Sequence, residues 1–214
     1  MKGLRLVWYR LWQQVAGFLF VLVFGLRVHH RRRFPRTGGV LVVANHQSYL
    51  DPILAAVGMP RPFHPMARNS LFRFAPFVWL IRSLNAFPVR RGTADLAAVK
   101  EALRRLKAGG VVLVFPEGTR TRDGSIGPLH GGAVPIAARA GVPILPMVID
   151  GAFEAWPRWR PVPLPFRIRV ACGRPVRVDE AAERDPDAFM AGVREEMLGL
   201  QRDLHRLRRL ERVI

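Results

Sequence analysis

The chain has 214 residues, half of them hydrophobic, enough for one domain with a substantial core and too few for two. Thirty-four Lys and Arg against 16 Asp and Glu give a formal charge of +18, which points to anionic partners: membrane lipid, a phosphorylated substrate or nucleic acid. The basic residues contain no recognised nucleic-acid motif, the single Cys172 excludes an internal disulfide, and no His/Cys cluster has metal-ligand spacing, so neither nucleic acid nor a metal is expected.

In chain order, the first feature is the uncharged 12-residue run Val15 to Leu26, short of the about 20 residues a bilayer crossing needs. Before it come Arg5 and Arg10 with Trp8, Tyr9 and Trp12, a mixture suited to the water–lipid boundary. After it comes the polybasic Arg27-Val-His-His-Arg-Arg-Arg33, which favours anionic headgroups on the cytoplasmic side, and no small-x-small cleavage site follows. Residues 1–33 are therefore expected to form an interfacial or re-entrant helical anchor, a helical hairpin being one form of it, and 34–214 the functional domain. The expected location is the cytoplasmic face of the cell membrane, monotopic or peripheral.

Val40-Leu-Val-Val-Ala44 is continuously apolar, as a strand covered on both faces must be, and it delivers Asn45-His46 to its carboxyl end, where open α/β sheets bind ligands. Asp51 follows five residues after His46, and Asp51-Pro52 reads as a helix cap and first-turn pair. A carboxylate held there can take the imidazole Nδ1 proton and leave the other ring nitrogen as a base. Ser48 is read as a loop or cap residue, with an acyl-enzyme nucleophile as the alternative.

Thr93 is placed to cap a helix from Ala94 to about Lys107, with Leu96, Val99, Leu103 and Leu106 at helical spacing and Gly109-Gly110 to stop it. A second apolar strand, Val111 to Phe115, runs into Pro116-Glu-Gly-Thr-Arg120, where Gly118 lets backbone approach a ligand and Arg120 offers a planar fork suited to phosphate. Gly132–Ala140 reads as a short helix, Ile144–Ile149 as a buried strand, Phe166–Ala171 as a half-exposed strand with Cys172 on its face, and about Pro186 to Arg209 as a terminal helix. Between the last two strands lies a Pro- and Trp-rich loop, Trp156–Pro165, read as an ordered surface loop or a second membrane-touching edge. The alternation of elements gives one α/β domain with a mostly parallel central sheet flanked by helices.

Asn45-His46 with Asp51, and Phe115-Pro-Glu-Gly-Thr-Arg120, resemble the signature blocks of the glycerolipid acyltransferases, the PlsC-like lysophosphatidic acid acyltransferase family. Asn85-Ala-Phe-Pro-Val-Arg-Arg91-Gly92 is similar to the family's second block and Val142-Pro-Ile-Leu-Pro146 to its fourth, so the likeness runs from about Val40 to Asp150 in the family's order. Asn85 stands where the family usually has glycine, Arg68 where lysine is common, and His130-Gly131 where a basic pair often precedes the glycine matching Gly132.

The resemblance implies transfer of a fatty acyl chain from acyl-CoA or acyl-ACP, as donor substrate and without a cofactor, to the free hydroxyl of lysophosphatidic acid in phospholipid biosynthesis. It implies His46 as general base, Asp51 as its orienter, Arg91 and Arg120 with Arg68 on the acceptor phosphate, and Glu117, Gly118 and Thr119 lining the substrate pocket. Another lysophospholipid or a lyso-ornithine lipid is the alternative acceptor; a hydrolase and a non-catalytic membrane-binding protein are the readings from other classes.

Overall fold

The computed structural model describes residues 3–69, 85–89 and 95–210. The chain opens with one continuous helix, α1 (Leu4–Phe24), and not a hairpin. Gly25 ends it in the left-handed region at φ 54°; the Gly25 amide then bonds Val21 O at 3.0 Å and the Leu26 amide bonds Phe20 O at 3.2 Å, closing the last turn. One side of α1 is fixed to the domain, where the Gln13 amide donates to Ala56 O and Met59 O and Tyr9 and Phe24 enter the core. The rest of its surface, including Leu11, Phe18 and Leu22, is exposed.

Among the described residues seven strands form one sheet: β1 (Arg27–His29), β2 (Val40–Ala44), β3 (Phe63–Arg68), β4 (Phe87–Val89), β5 (Val111–Val114), β6 (Ile144–Asp150) and β7 (Arg169–Cys172), in the order β1-β7-β6-β2-β5-β3-β4. Neighbours are parallel except β6 and β7. Arg27–His29, grouped by sequence with the N-terminal segment, is thus an edge strand paired with Arg169–Ala171.

The centre of the sheet is apolar on both sides because both sides are covered. Val40, Val42 and Ala44 face a core shared with α1 and α2 (Asp51–Gly58), whereas Leu41 and Val43 face α3 (Leu96–Lys107), α4 (Val134–Ala140) and α7 (Pro186–Leu210). Two short helices, α5 (Ala152–Ala155) and α6 (Glu180–Arg184), complete the frame.

Three local expectations change. The segment read as half-exposed is buried throughout β7, since β6 and β1 flank it and both faces are covered. Thr93 and Ala94 lie outside the described residues; α3 starts at Leu96, and Asp95 caps it by accepting from the Ala98 amide at 3.1 Å. Asp51 is not a helix cap: Leu50 holds that position without a side-chain bond, and Asp51 sits in the first turn with its carboxylate directed back into the loop.

Candidate active site

Strands β2, β3, β5 and β6 run the same way, so their carboxyl ends gather on one edge, and the polar residues that follow β2 and β5 meet there. Asn45 fixes the start of the β2 loop. Its side-chain amide donates to Ile149 O and its oxygen accepts from the Ile149 amide, both at 2.8 Å, so the side chain extends the β2–β6 ladder by one rung. Gln47 bonds Gly124 O and the Phe153 amide, and the buried Ser48 hydroxyl donates to Trp156 O at 2.8 Å. With its proton committed to a main-chain carbonyl, Ser48 is built as a loop fastener and not as a nucleophile.

Within this frame His46 Nδ1 lies 2.7 Å from Asp51 Oδ2. The same oxygen accepts from the backbone amides of Gln47 at 2.6 Å and Ser48 at 2.7 Å. Complete burial pushes the Asp51 carboxyl above its ordinary pKa, while the His46 bond and the two amides pull it back. A carboxylate surrounded by donors accepts from Nδ1–H, which fixes the tautomer that leaves the Nε2 lone pair free. The imidazole is stacked on Phe115 with ring centroids 4.2 Å apart and planes 19° apart, and His46 is 8% exposed, so the ring is held in place with only a small part of it open to solvent.

The β5 loop locks onto the β2 loop through backbone. The Thr121 amide donates to His46 O at 2.8 Å, and Glu117 Oε1 accepts the His46 amide at 2.8 Å while Oε2 accepts the Gly127 amide at 3.2 Å. Glu117, grouped by sequence with the substrate-binding residues, therefore spends both oxygens on protein amides. Burial pushes its carboxyl up to about 7. Gly118 has φ 69°, a conformation that favours glycine, and it and Thr119 are exposed at the rim of the site. The Arg120 guanidinium sits over the face of the Tyr49 ring, Cζ 3.5 Å from its centroid. Arg68 ends β3 on the same edge, its side chain outside the described residues, as Arg91 is altogether. Among the described residues no three His, Cys, Asp or Glu come together as metal ligands.

Phe115, Thr121 and Tyr49 were not singled out from the sequence. Phe115 and Tyr49 stand inside the quoted blocks, but nothing in the order of residues says that one ring supports His46 and the other Arg120; those pairings join residues 69 and 71 positions apart.

A family model described as Acyltransferase matches residues 25–150, more than half of the chain. The chain belongs to the acyltransferase family. It is 32% identical over 128 residues to the 1-acyl-sn-glycerol-3-phosphate acyltransferase of Bacillus subtilis, covering 59% of this chain and 63% of that protein. It is also 32% identical over 190 residues to the mouse 1-acyl-sn-glycerol-3-phosphate acyltransferase alpha, covering 85% of this chain and 66% of that one. The match thus spans less than two thirds of either relative. The crystal structure of the 1-acyl-sn-glycerophosphate (LPA) acyltransferase PlsC from Thermotoga maritima superposes with a TM-score of 0.77 at 27% identity, over 92% of this chain and 79% of that one.

Family membership gives one departure a physical reading. Asn85, where the family usually has glycine, adopts φ 63°. Asn is among the non-glycine residues that best tolerate this left-handed conformation, so the backbone shape that favours glycine is kept without it.

Proposed function

We propose that this chain is a membrane-associated O-acyltransferase that moves a fatty acyl group from acyl-CoA or acyl-ACP to the free hydroxyl of lysophosphatidic acid, giving phosphatidic acid. The observation that carries the reading is the 2.7 Å contact between His46 Nδ1 and Asp51 Oδ2, at the mouth of a sheet in a chain of this family. His46 Nε2 takes the proton from the acceptor hydroxyl, whose oxygen attacks the thioester carbonyl. The C–S bond breaks, and the leaving thiolate of the donor receives the proton from the imidazolium. No enzyme nucleophile and no cofactor are needed, because the thioester is already activated.

A positioned base supplies about 10²- to 10⁴-fold; holding hydroxyl and thioester together contributes more, up to roughly 7–11 kcal/mol. Arg120, with Arg68 and Arg91, is assigned to the acceptor phosphate, the planar guanidinium being matched to two oxygens at once. Gly118 and Thr119 line the rim.

Membrane association is supported by α1. Residues Leu6–Phe24 are long and apolar enough to cross a bilayer, with mean hydropathy 1.4 and 17% of the most apolar window buried. Gln13, Tyr9 and Phe24 tie one side of the helix to the domain, which favours a helix lying along the protein with its outer face in one leaflet, on the cytoplasmic side where the donor is made available. The test is to incubate detergent-solubilised protein with labelled acyl-CoA or acyl-ACP and a panel of lysolipids, with His46→Ala alongside. Phosphatidic acid formed by the wild type alone is the expected result. Free fatty acid without acceptor would make the chain a hydrolase, and a different lysolipid product would replace the acceptor.

A further inference from the structure

We propose that Tyr49 is a positioning residue that presents Arg120 to the acceptor's anionic group; the inference rests on the reading of Arg120 as the acceptor clamp. Tyr49 stands out in its loop. Ser48 and Leu50 on either side are buried, whereas Tyr49 is 52% exposed. Its face carries the Arg120 guanidinium at 3.5 Å, and its other neighbour is Trp156, with centroids 5.4 Å apart. Trp156 in turn is held by the Ser48 hydroxyl on its carbonyl oxygen, so the platform is fixed to the same loop that carries His46.

The choice of an aromatic support has a chemical consequence. A carboxylate would hold an arginine by occupying its N–H groups and would then compete with an incoming phosphate. A ring holds the guanidinium by its face and leaves the in-plane N–H donors unused. Arg120 fits this: Nη1 is shielded from solvent and has no hydrogen-bond partner, and no carboxylate pairs with Arg120 among the described residues. Tyr49 thereby sets the orientation in which Arg120 meets the acceptor's anionic group.

The experiment uses the full-length protein with acyl-CoA and lysophosphatidic acid, varying each in turn, for Tyr49→Leu, Tyr49→Phe, Arg120→Ala and the Tyr49→Leu/Arg120→Ala double variant. Tyr49→Leu should raise the acceptor KM roughly 3- to 10-fold, the scale of one cation–π contact, with the donor KM and kcat little changed. Tyr49→Phe, which keeps the ring face, should recover most of the loss. The double variant should be no worse than Arg120→Ala, because Tyr49 acts through that side chain. If Arg120→Ala raises the acceptor KM and Tyr49→Leu does not, the clamp stands and the role of Tyr49 falls. If neither moves it, the clamp itself is wrong and the proposal falls with it. A drop in kcat with both KM values unchanged would mean that Tyr49→Leu disturbs the His46 loop, which also overturns the proposal.

Discussion

Residues 45–51 and helix α1 fasten themselves to the same domain in opposite ways. In the loop, Asn45, His46, Gln47, Ser48 and Asp51 are each more than nine-tenths hidden from solvent, and each makes hydrogen bonds to a defined partner. In α1, the domain is gripped by Gln13, Tyr9 and Phe24, while Leu4, Leu11, Phe18, Leu19 and Leu22 face outward. Directional bonds fix a geometry and fail when one atom changes; apolar area holds position without angular precision, tolerates exchange of one hydrophobe for another and fails on charge. On the proposed function the loop carries the chemistry and the helix the attachment, and mutations should separate the two.

The largest effect belongs to the loop. His46→Ala should lower kcat by about 10²- to 10⁴-fold while the protein melts normally and still sediments with vesicles. Asp51→Asn isolates the charge: its oxygen can keep the three donors that now meet Oδ2, and its nitrogen takes the place of Oδ1, which has no partner among the described residues. We expect kcat to fall about 10²-fold or more with little change in thermal stability. Near-full turnover by His46→Ala would falsify the general-base assignment.

The residues of this loop were legible because chemistry needs particular side chains in order, and β2, β5 and β6 because strands covered on both faces read as unbroken apolar runs. β3 and β4 were not: Phe-His-Pro-Met-Ala-Arg in β3 is neither an unbroken apolar run nor a strict alternation, and β4 is only three residues with Pro88 at its centre. β1 is three residues, Arg-Val-His, whose strand conformation comes from pairing with β7 some 140 positions away, information no local window holds. The dual role of Glu117 was hidden for a similar reason: a carboxylate beside a glycine in a strand-end loop looks ligand-facing, and only the fold shows the His46 and Gly127 amides already there.

The next effect tests the helix. Removing α1 outright would uncover the core that Tyr9 and Phe24 help to close, so substitution of the outer face is the cleaner experiment. Leu11→Arg, Phe18→Arg and Leu22→Arg together should abolish sedimentation with neutral vesicles, each arginine being unfavourable by up to roughly 3 kcal/mol in hydrocarbon, while activity toward a detergent-dispersed acceptor persists. Full binding by the triple variant would move the anchor to the Trp156–Pro165 loop, where Trp159, Val162 and Leu164 are exposed.

Glu117 tests the link between the two signature loops. Glu117→Gln keeps the shape, but its oxygen can accept from only one of the two amides and its nitrogen faces the other, so kcat should fall roughly tenfold. Its pH signature is distinct. The wild-type carboxyl is raised by burial to about 7 from an ordinary 4.5, so the folded protein holds this proton after the unfolded chain has lost it. Its contribution to stability is then fully present below about pH 4.5 and declines as pH rises through 7. Glu117→Gln should remove that decline from a plot of Tm against pH. An unchanged slope would mean that Glu117 does not titrate in this window.

The smallest effect concerns the basic turn after β1, where sequence suggested Arg31, Arg32 and Arg33 as one headgroup-facing cluster. The structure divides them. Arg31 donates to Met59 O at 3.2 Å and Arg33 to Cys172 O at 3.4 Å, so replacing either disturbs the domain as well as its charge. Arg32 and Arg36 are exposed and make no side-chain hydrogen bond among the described residues, which makes Arg32→Gln/Arg36→Gln the interpretable pair. Each basic residue near an anionic surface contributes about 1 kcal/mol, and salt screens that attraction within a Debye length. The double variant should therefore bind vesicles rich in anionic lipid more weakly at low salt and lose part of the wild type's salt dependence. Binding to neutral vesicles, which the proposal assigns to α1, should not change. Sedimentation across a salt series measures both quantities; a wild-type salt slope retained by the double variant would place the electrostatic contact elsewhere on this strongly basic chain.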